Sequence, residues 1–401
     1  MLSIDEARAR ILAPLRPLPV ETVPLAAAHG RVLAAPLTAR LDNPPGPVSA
    51  MDGYALRAAD GALGARLRVI GAAPAGHPFP GQLQPGEAVR LYTGSLMPPG
   101  ADAVLLQEDA LRDGDLVEIR EAVRPARHVR PQGQDFAAGD LLLAPGRRLT
   151  ARDIGLAAAA NCPWLAVHRR PRIALLATGD EIALPGDPIP PGGIPSSNTH
   201  ALAALIQAFG GDPLTLPIAP DTRDALAQAA LAAAGADLLV TTGGASVGDY
   251  DLVQAALGDH GFQLDFWKVA MRPGKPLISG HLGGLPVLGL PGNPVSALVC
   301  ALLFLIPALA RLSGLPGDPL PTTEARLGAP LPANDHRADH LRATLSHDPG
   351  GALVATAFPR QDSAMLRLFA SADALILRPP HAPPLAIGSP VPILRLDLIG
   401  F

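Results

Sequence analysis

Runs of apolar residues alternate with amphipathic helical segments between about residue 172 and residue 312. The runs Arg172–Ala177, Asp237–Val240 and Leu285–Leu290 are compact and rich in aliphatic residues, which is typical of buried strands. Helices are predicted between them, one capped by Asn198, one spanning Asp221–Ala234 and one in DLVQAALG, which begins at Asp251. Strands and helices of these lengths that alternate along the chain predict a doubly wound, mostly parallel sheet. In such sheets, ligands bind beyond the carboxyl ends of the strands.

Two other parts of the chain have the pattern of small β domains. Short apolar runs separated by glycine, proline and aspartate clusters extend from about Leu67 to Leu143 and from about Asp318 to Phe401. Between residues 3 and 40, SIDEARARIL and PLAAAHGRVLAA both predict helices, the first with a capping box between Ser3 and Glu6. The chain is therefore predicted to be multidomain, combining α/β and β folds.

Composition narrows the class of protein without identifying a site. Of 401 residues, 48% are hydrophobic and 17% charged, and the net charge of −4 gives no overall positive field for nucleic acid or an anionic membrane. Cys162 and Cys300 stand apart from any cysteine or histidine cluster, which predicts a reduced, cytoplasmic protein. The first twelve residues lack a signal-peptide pattern, and the apolar run Ala297–Ala310 is predicted to be a buried helix too short to span a membrane.

A glycine-rich loop follows the second predicted strand, in DLLVTTGGASVGDYD. Gly243, Gly244 and Gly248 can adopt backbone angles closed to other residues and bring main-chain N–H groups close to an anion, while Asp249 and Asp251 add carboxylates. This combination suits a phosphate together with a divalent cation. A glycine-rich turn after a strand is also common as a tight turn alone, so both interpretations stay open.

Three cations occur within eight residues of the segment WKVAMRPGKPL, namely Lys268, Arg272 and Lys275. Cations on a protein surface are usually solvated, and their ion pairs contribute little to stability. Here they lead into a Gly/Pro turn near a phosphate-type loop, so they would also suit a bound dianion through charge-assisted hydrogen bonds.

Four acidic residues in separate motifs suit Mg²⁺, which takes carboxylate and water oxygens alongside substrate phosphates. They are Asp52, Glu181, Asp221 and Asp251. Asp52-Gly53 would equally serve as a hairpin turn, and the polar loops around Thr93 and Asp135 would equally serve as strand connections. No GxxxxGK[ST], HExxH or GxSxG motif occurs, which removes the main support for a P-loop ATPase, a zincin or an α/β-hydrolase.

Six motifs, taken in order, resemble the MoeA family of molybdopterin molybdenumtransferases, to which the gephyrin E domain also belongs. The motifs are SAMDGYA, TGSLMPPGADAV, TGDE, TTGGASVGDYD, FWKVAMRPGKP and PGNPVSA. The resemblance implies a homodimer that inserts molybdate into adenylylated molybdopterin, with Mg²⁺ as cofactor and release of AMP. It also implies an active site between the α/β domain of one subunit and a small β domain of the other.

The same resemblance implies four domains. These are an elongated N-terminal framing domain (1–46 with 140–168), an inserted small β domain (47–139), a doubly wound MogA-like α/β domain that binds molybdopterin (169–317), and a C-terminal β domain (318–401). Other molybdenum cofactor biosynthesis proteins and apo-molybdoenzymes are the protein partners that it suggests.

Carried over motif by motif, the resemblance assigns roles to individual residues. The catalytic set is Asp52, Glu181, Asp221, Asp251, Lys268 and Lys275, and its four acids are the candidate metal ligands. The substrate-binding set is Thr93, Ser95, Asp135, Gly243, Gly244, Ser246, Gly248, Arg272, Lys275, Pro276, Ser296, Arg337 and Ser363. Arg272 stands where many family members have lysine, and its planar guanidinium is not equivalent to an ammonium group.

Two alternative functions stay open on the sequence. The chain would be a molybdopterin adenylyltransferase if it acted like MogA-type proteins, which have a similar TTGG loop, although both β domains and SAMDGYA favour molybdenum insertion. It would be a non-catalytic dimeric scaffold if it acted as the gephyrin E domain does with receptors, although the acidic and basic residues disfavour this. The sequence does not separate molybdate from tungstate, because the two oxyanions have nearly the same size and charge.

Overall fold

The computed structural model describes residues 1–243, 258 and 261–398 of the chain. The chain divides into two compact units. The larger unit contains Met1–Glu21, Gly30–Ala34 and Val167–Phe401, and the smaller unit contains Thr22–His29 and Ala35–Ala166.

The first predicted helix is confirmed, and the second is wrong. Helix α1 (Ile4–Leu12) begins with the expected capping box, in which the Ser3 and Glu6 side chains bond to each other's main-chain N–H groups. The segment PLAAAHGRVLAA instead contains the end of strand β1 (Val20–Pro24) and a single 3₁₀ turn, Leu25–Ala27. Helix propensity of the alanines is overridden there, because Pro24 is extended and Gly30 takes a left-handed φ of +74°.

The smaller unit consists mainly of short strands, as predicted. Its strands are β2 (Leu37–Thr38), β3 (Val48–Ser49), β4 (Gly53–Leu56), β5 (Arg66–Ala73), β6 (Glu87–Leu91), β7 (Ala103–Leu106), β8 (Ala110–Asp113), β9 (Leu116–Ile119), β10 (Val129–Arg130) and β11 (Leu141–Leu143). Six of them form one sheet in the order β7-β4-β6-β5-β9-β8, and β3–β10 and β2–β11 form two short ladders. Alternate residues of β4 pack into two separate apolar clusters, Tyr54 and Leu56 into one and Ala55 into the other. Helix α2 (Ala151–Ala159) follows, with a capping box between Thr150 and Asp153.

The α/β part of the larger unit has the predicted doubly wound sheet with an antiparallel addition. Strand β12 (Trp164–His168) precedes this part and pairs with β1. The strands that follow are β13 (Arg172–Ala177), β14 (Ile182–Ala183), β15 (Ile194–Pro195), β16 (Asp212–Thr215), β17 (Leu238–Thr242), β18 (Phe262–Lys268), β19 (Met271–Arg272), β20 (Pro276–Leu282) and β21 (Leu285–Leu290). The six-stranded sheet has the order β16-β13-β17-β21-β20-β18, and the first four strands are parallel. Strand β20 is antiparallel to both neighbours. The sequence did not predict β20, because Pro276 and Gly280 interrupt its apolar pattern.

Both faces of this sheet are covered, which explains the continuous apolar runs. Ile173 and Leu175 of β13 pack into one core cluster, while Ala174 and Leu176 pack into another. The covering helices are α3 (Asn198–Ala208), α4 (Arg223–Leu231), α5 (Pro294–Cys300) and α6 (Ile306–Leu312), and a π-helical turn, Ala301–Leu305, joins the last two. Helix α4 is shorter than predicted. The helix predicted after Asp251 lies outside the described residues.

The helical segment Pro294–Leu312 is longer than the predicted apolar run. It has 19 residues, and an 18-residue stretch of it has a mean hydropathy of 2.3, so by length and composition alone it would be able to cross a membrane. The sequence argument that the run is too short is therefore wrong. The predicted burial is confirmed, because 83% of an 18-residue stretch of the segment is buried inside the protein and many of its residues belong to one large core cluster.

The C-terminal strands form a second sheet, as predicted. They are β22 (Thr323–Leu327), β23 (Ala338–His347), β24 (Leu353–Ala357), β25 (Ala374–Arg378) and β26 (Pro390–Arg395), and the short helix α7 (Leu366–Ala370) lies between β24 and β25. The order β19-β23-β24-β22-β26-β25 is closed by a further pairing of β23 with β25. Strand β19 joins this sheet in parallel with β23, and Arg272 pairs there with Asp339. The α/β part and the C-terminal strands thus share a strand pair.

Candidate active site

A cavity of about 1070 Å³ lies in the larger unit, beyond the carboxyl ends of β13, β17 and β21. Thr178 and Glu181 after β13, Thr242 and Gly243 at the end of β17, and the segment 291–294 after β21 all line it. The predicted convergence of the three strand-end loops is confirmed for the residues that the structure describes. Residues 361–364, which precede α7, close the cavity from the C-terminal side.

Asn198 connects two of these loops. Its side-chain amide donates to Thr242 Oγ1 at 2.7 Å and to the Gly292 carbonyl at 2.8 Å. The predicted cap is therefore wrong: Asn198 is the first residue of α3, Ser197 precedes it, and the Asn198 side chain points toward the strand ends. An asparagine at a helix start fits either role in sequence, and only the neighbouring strand decides between them.

Gly243 meets the backbone requirement predicted for the glycine loop. Its φ is +93°, and a Cβ atom there would lie 2.4 Å from the Thr178 carbonyl oxygen. Because no side chain fits that space, only glycine permits β13 and β17 to end side by side at the cavity. The other predicted loop residues Gly244, Ser246, Gly248 and Asp251 lie outside the described residues.

Two of the three predicted cations of WKVAMRPGKPL line the cavity, together with Arg337. Arg272 lies on β19 and Lys275 follows the turn at Gly274, whose φ is +108°. Pro276, also predicted, lines the cavity beside them. Lys268 is not among the lining residues, and its ammonium group lies 3.7 Å from the centre of the Trp267 ring.

Each cavity arginine is oriented by an aspartate. Arg272 donates from Nε and Nη2 to the buried carboxylate of Asp339, at 2.9 and 2.8 Å. That fork-to-fork contact raises the pKa of Arg272 above its ordinary value. Arg337 donates from Nε and Nη2 to Asp335, at 3.2 and 2.6 Å, and lowers the pKa of that carboxyl far below its usual range.

Two predicted hydroxyl groups face the same space from different elements. Ser296 is buried in the first turn of α5 and lines the cavity. Ser363 accepts a hydrogen bond from Asn293 Nδ2 at 3.0 Å, and its carbonyl accepts from Val295 N at 3.1 Å. The segment before α7 is thereby fixed against the N-terminus of α5.

Arg342 and Gln361 support that segment, and neither was predicted. The guanidinium of Arg342, 1% exposed, donates from Nη2 to the Asp362 carbonyl at 3.1 Å. Gln361 accepts from Arg342 N and donates back to the Arg342 carbonyl. Their part in positioning Ser363 depends on contacts across about twenty residues, and no local sequence signal reveals it.

The predicted carboxylates are distributed between the two units. Glu181 lines the cavity, whereas Asp221 does not and donates its main-chain N–H to Asp180. Asp52 belongs to the smaller unit. Within residues 1–243 and 261–398, no group of three His, Cys, Asp or Glu side chains is arranged to hold a metal ion. The four-carboxylate metal set therefore stays a prediction.

In the smaller unit, Asp52 is paired with Thr93. Its carboxylate accepts from Thr93 N at 2.7 Å and from Thr93 Oγ1 at 2.9 Å, and these bonds lower the pKa of Asp52. Ser95 is fully buried and accepts from Tyr92 N, so its hydroxyl shapes the same loop. Asp135 accepts from Asn43 Nδ2 at 3.1 Å.

Comparison with known proteins places the chain in a family. Models of the MoeA N-terminal region (domain I and II), of a probable molybdopterin binding domain and of the MoeA C-terminal region (domain IV) match residues 2–161, 174–311 and 324–396. A protein named molybdopterin molybdenumtransferase 2, from Mycobacterium tuberculosis, is 37% identical over 411 residues, covering 99% of this chain and 100% of that protein. The chain belongs to the molybdopterin molybdenumtransferase family.

Other members of the molybdopterin molybdenumtransferase family agree in sequence and in fold. The protein of that name from a Nostoc species is 40% identical over 304 residues, which is 74% of this chain and 70% of the relative. A crystal structure of a molybdopterin biosynthesis MoeA protein from Pyrococcus horikosii has a TM-score of 0.85 and 30% identity, with 98% of this chain and 99% of that chain covered. The predicted family resemblance and multidomain fold class are confirmed.

Proposed function

We propose that this molybdopterin molybdenumtransferase inserts molybdenum from molybdate into adenylylated molybdopterin and releases AMP. The observation that carries the proposal is the cavity that Arg272, Lys275 and Arg337 line together with the strand-end loops of the probable molybdopterin binding domain. The cations suit a mineral dianion, and the loops suit the phosphates of a nucleotide-bearing pterin. One cavity thus accommodates both reactants.

The cationic side of the cavity would bind molybdate. Lys275 and Arg337 would donate to its oxygens, together with the hydroxyls of Ser296 and Ser363 and with Nη1 of Arg272, whose other two nitrogens are bound to Asp339. Arg272 and Ser363 are fixed before the dianion arrives, because Asp339 holds the Arg272 guanidinium and Asn293 donates to the Ser363 hydroxyl. Preorganised donors stabilise charge without reorganisation during the reaction. Their neutralising effect would let the dianion approach the dithiolene sulfurs.

The opposite side would bind the adenylylated pterin. Gly243 and the rest of the glycine loop would receive its phosphates, and loss of AMP would be coupled to transfer of the metal into the dithiolene. A bound Mg²⁺ would polarise the phosphoanhydride. Mg²⁺ keeps several waters and binds through one or two carboxylates plus substrate phosphates, which fits Glu181 in the cavity lining, with Asp251 as the second candidate ligand.

Replacing Lys275 tests this assignment directly. For Lys275→Met we expect molybdate-dependent AMP release and molybdenum incorporation to fall by about 100-fold or more, because a charge-assisted contact to the dianion is lost. The measurement is AMP and protein-bound molybdenum after incubation of purified protein with adenylylated molybdopterin and molybdate. Arg326→Met, on the exposed face of β22, is the matched control and should retain activity.

Other results would assign a different function. If Lys275→Met had the activity of the wild type, Lys275 would not be part of the molybdate site. Formation of adenylylated pterin from ATP would support the adenylyltransferase alternative. No AMP release by the wild type, with or without molybdate, would support the scaffold alternative.

In a cytoplasmic homodimer, the Asp52–Thr93 pair of one subunit would serve the cavity of the other, and the chain would divide into the four domains 1–46 with 140–168, 47–139, 169–317 and 318–401. Other molybdenum cofactor biosynthesis proteins and apo-molybdoenzymes would be its partners. Sedimentation as a stable monomer at micromolar concentration would contradict the dimer.

A further inference from the structure

Asp335 binds the guanidinium that faces the proposed molybdate site. Its Oδ2 lies 2.6 Å from Nη2 of Arg337, its Oδ1 accepts from Arg337 N at 2.9 Å, and Nε of Arg337 is 3.2 Å from both oxygens. Arg337 lines the cavity, whereas Asp335 is not among the lining residues and lies behind it. The aspartate thus uses one edge of the guanidinium and adds a negative charge just outside the cavity.

The same carboxylate lies between two cations. Asp335 Oδ2 is 3.8 Å from Nη1 of Arg272, which is too far for a hydrogen bond but close enough for electrostatic attraction. The other two donor nitrogens of Arg272 are engaged by Asp339. Lys275, the third cation of the lining, has no ion-pair partner in the part of the chain that the structure describes. Asp335 therefore screens two of the three positive charges.

The backbone around Asp335 is fixed. The Asp335 carbonyl accepts from His381 N at 2.7 Å. Asn334 donates to the carbonyls of Arg337 and Pro379 and accepts from Ala382 N. The Asp335 side chain is 38% exposed, so it can turn toward solvent if its bonds to Arg337 are replaced. Arg337 keeps it ionised, since it lowers the pKa of Asp335.

We infer that Asp335 is an internal counter-ion of the oxyanion site, which occupies Arg337 in the free protein and yields it when a tetrahedral dianion binds. The inference rests on the proposed function, because it takes the dianion to be molybdate. A dianion carries twice the charge of the carboxylate and can accept from Arg337, Lys275 and Nη1 of Arg272 together, so it displaces Asp335. The residual repulsion weakens binding and permits exchange of the anion.

Removal of the charge should therefore strengthen anion binding. For Asp335→Asn we expect the Kd of molybdate, measured by titration calorimetry at low salt, to fall by about tenfold. Perrhenate, a tetrahedral monoanion, should gain only about threefold, since the Coulomb energy scales with the charge of the anion. A purely structural role of Asp335 would not produce this dependence on anion charge.

The matched control is Asp397→Asn. Asp397 forms the same forked ion pair with the arginine two residues away, Arg395, and is also 38% exposed, but neither residue lines the cavity. This variant removes the same net charge and one equivalent pair, so its Kd for molybdate should stay within twofold of wild type.

Unchanged or weaker molybdate binding by Asp335→Asn, or equal gains for both anions, would overturn the inference. Asp335→Ser, which keeps an acceptor for Arg337 N, repeats the test if the asparagine variant does not fold. Arg337→Met separates this result from the proposed function. If the wild type binds molybdate and Arg337→Met does not, the assignment of the molybdate site is supported, independently of the result for Asp335. If the wild type and both variants fail to bind molybdate, the proposed function and the counter-ion role of Asp335 are both wrong.

Discussion

Arg272 shows how one side chain can support both the fold and the site. Two of its nitrogens hold Asp339, which is 4% exposed, across the strand pair β19–β23, and the third faces Asp335. A lysine at this position would keep the charge but not the fork. The shape of the Arg272 guanidinium therefore contributes to the fold, and its charge contributes to the proposed oxyanion site.

Arg272→Lys should reveal these two contributions independently. We expect the free energy of unfolding to fall by about 1 kcal/mol, because the forked contact is lost at a side chain that is 47% exposed and screened by solvent. The Kd for molybdate should change by less than about fivefold, since a positive charge remains. Urea denaturation and titration calorimetry provide the measurements.

The comparison variant for that experiment is Arg272→Met, which removes both fork and charge. It should lose the same stability and also bind molybdate at least about tenfold more weakly. If lysine and methionine weakened anion binding equally, the guanidinium geometry rather than its charge would be the requirement at Arg272.

The sequence predicts those cavity residues that lie in short local motifs. It does not predict the residues whose role depends on tertiary contacts. Lys275, Ser296 and Gly243 lie in short motifs at strand or helix ends, and the structure brings all three to one cavity. Asp335 and Arg342 were missed because each acts through a partner that the fold, and not the sequence spacing, places beside it. Roles of this kind follow only from packing.

At the scale of elements, the turn between β19 and β20 sets the spacing of two cavity cations. Gly274 lies between Arg272 and Lys275 with φ +108°, and a Cβ atom there would lie 2.5 Å from Cys300 Sγ on α5. The turn and helix α5 are therefore in direct contact, which explains why position 274 requires glycine. From the sequence, the Gly/Pro pair would predict only a bend.

Gly274→Ala should disturb both stability and binding. We expect a loss of about 3 kcal/mol in the free energy of unfolding, made up of about 1–2 kcal/mol for the left-handed backbone and a further steric cost against Cys300. The Kd for molybdate should rise, because Lys275 shifts with the turn. Urea denaturation and calorimetry measure the two effects.

Two variants isolate the steric part. Gly283→Ala lies in the β20–β21 hairpin with φ +59° and open space around its Cβ position, so it should cost only about 1 kcal/mol and leave binding intact. Gly274→Ala combined with Cys300→Ala should recover part of the lost stability. Equal costs for Gly274→Ala and Gly283→Ala would refute the contact with Cys300.

Elements with a strong apolar period were predicted well, and those interrupted by glycine or proline were not. Strand β13 and the buried helix after Pro294 follow from continuous apolar runs. Strand β20 escaped prediction because Gly280 has no side chain to contribute to the pattern, yet it is required there: a Cβ atom would lie 2.4 Å from the Gln263 carbonyl oxygen of β18.

At the scale of the larger unit, the joint between the α/β part and the C-terminal strands contains a buried histidine. His340 of β23 is 4% exposed, and burial lowers its pKa to about 4, against the opposing effects of a hydrogen bond to the Arg272 main chain and of the nearby charge on Asp339. The strand pair β19–β23, which joins the two parts, therefore contains a neutral imidazole next to the proposed oxyanion site.

The joint should make stability depend on pH between about 6.5 and 4. An unfolded histidine takes up a proton near pH 6.5, whereas the folded one does so only near pH 4, so the unfolded state binds more protons in that interval and stability falls on acidification. From pH 7 to pH 5 the contribution of His340 is a loss of about 2 kcal/mol. His340→Gln, which can still donate to the Arg272 carbonyl, should remove that part of the slope in urea denaturation of the full chain. His347→Gln, at the exposed end of the same strand, should retain the wild-type slope, and an unchanged slope in His340→Gln would show that the joint does not hold a neutral histidine.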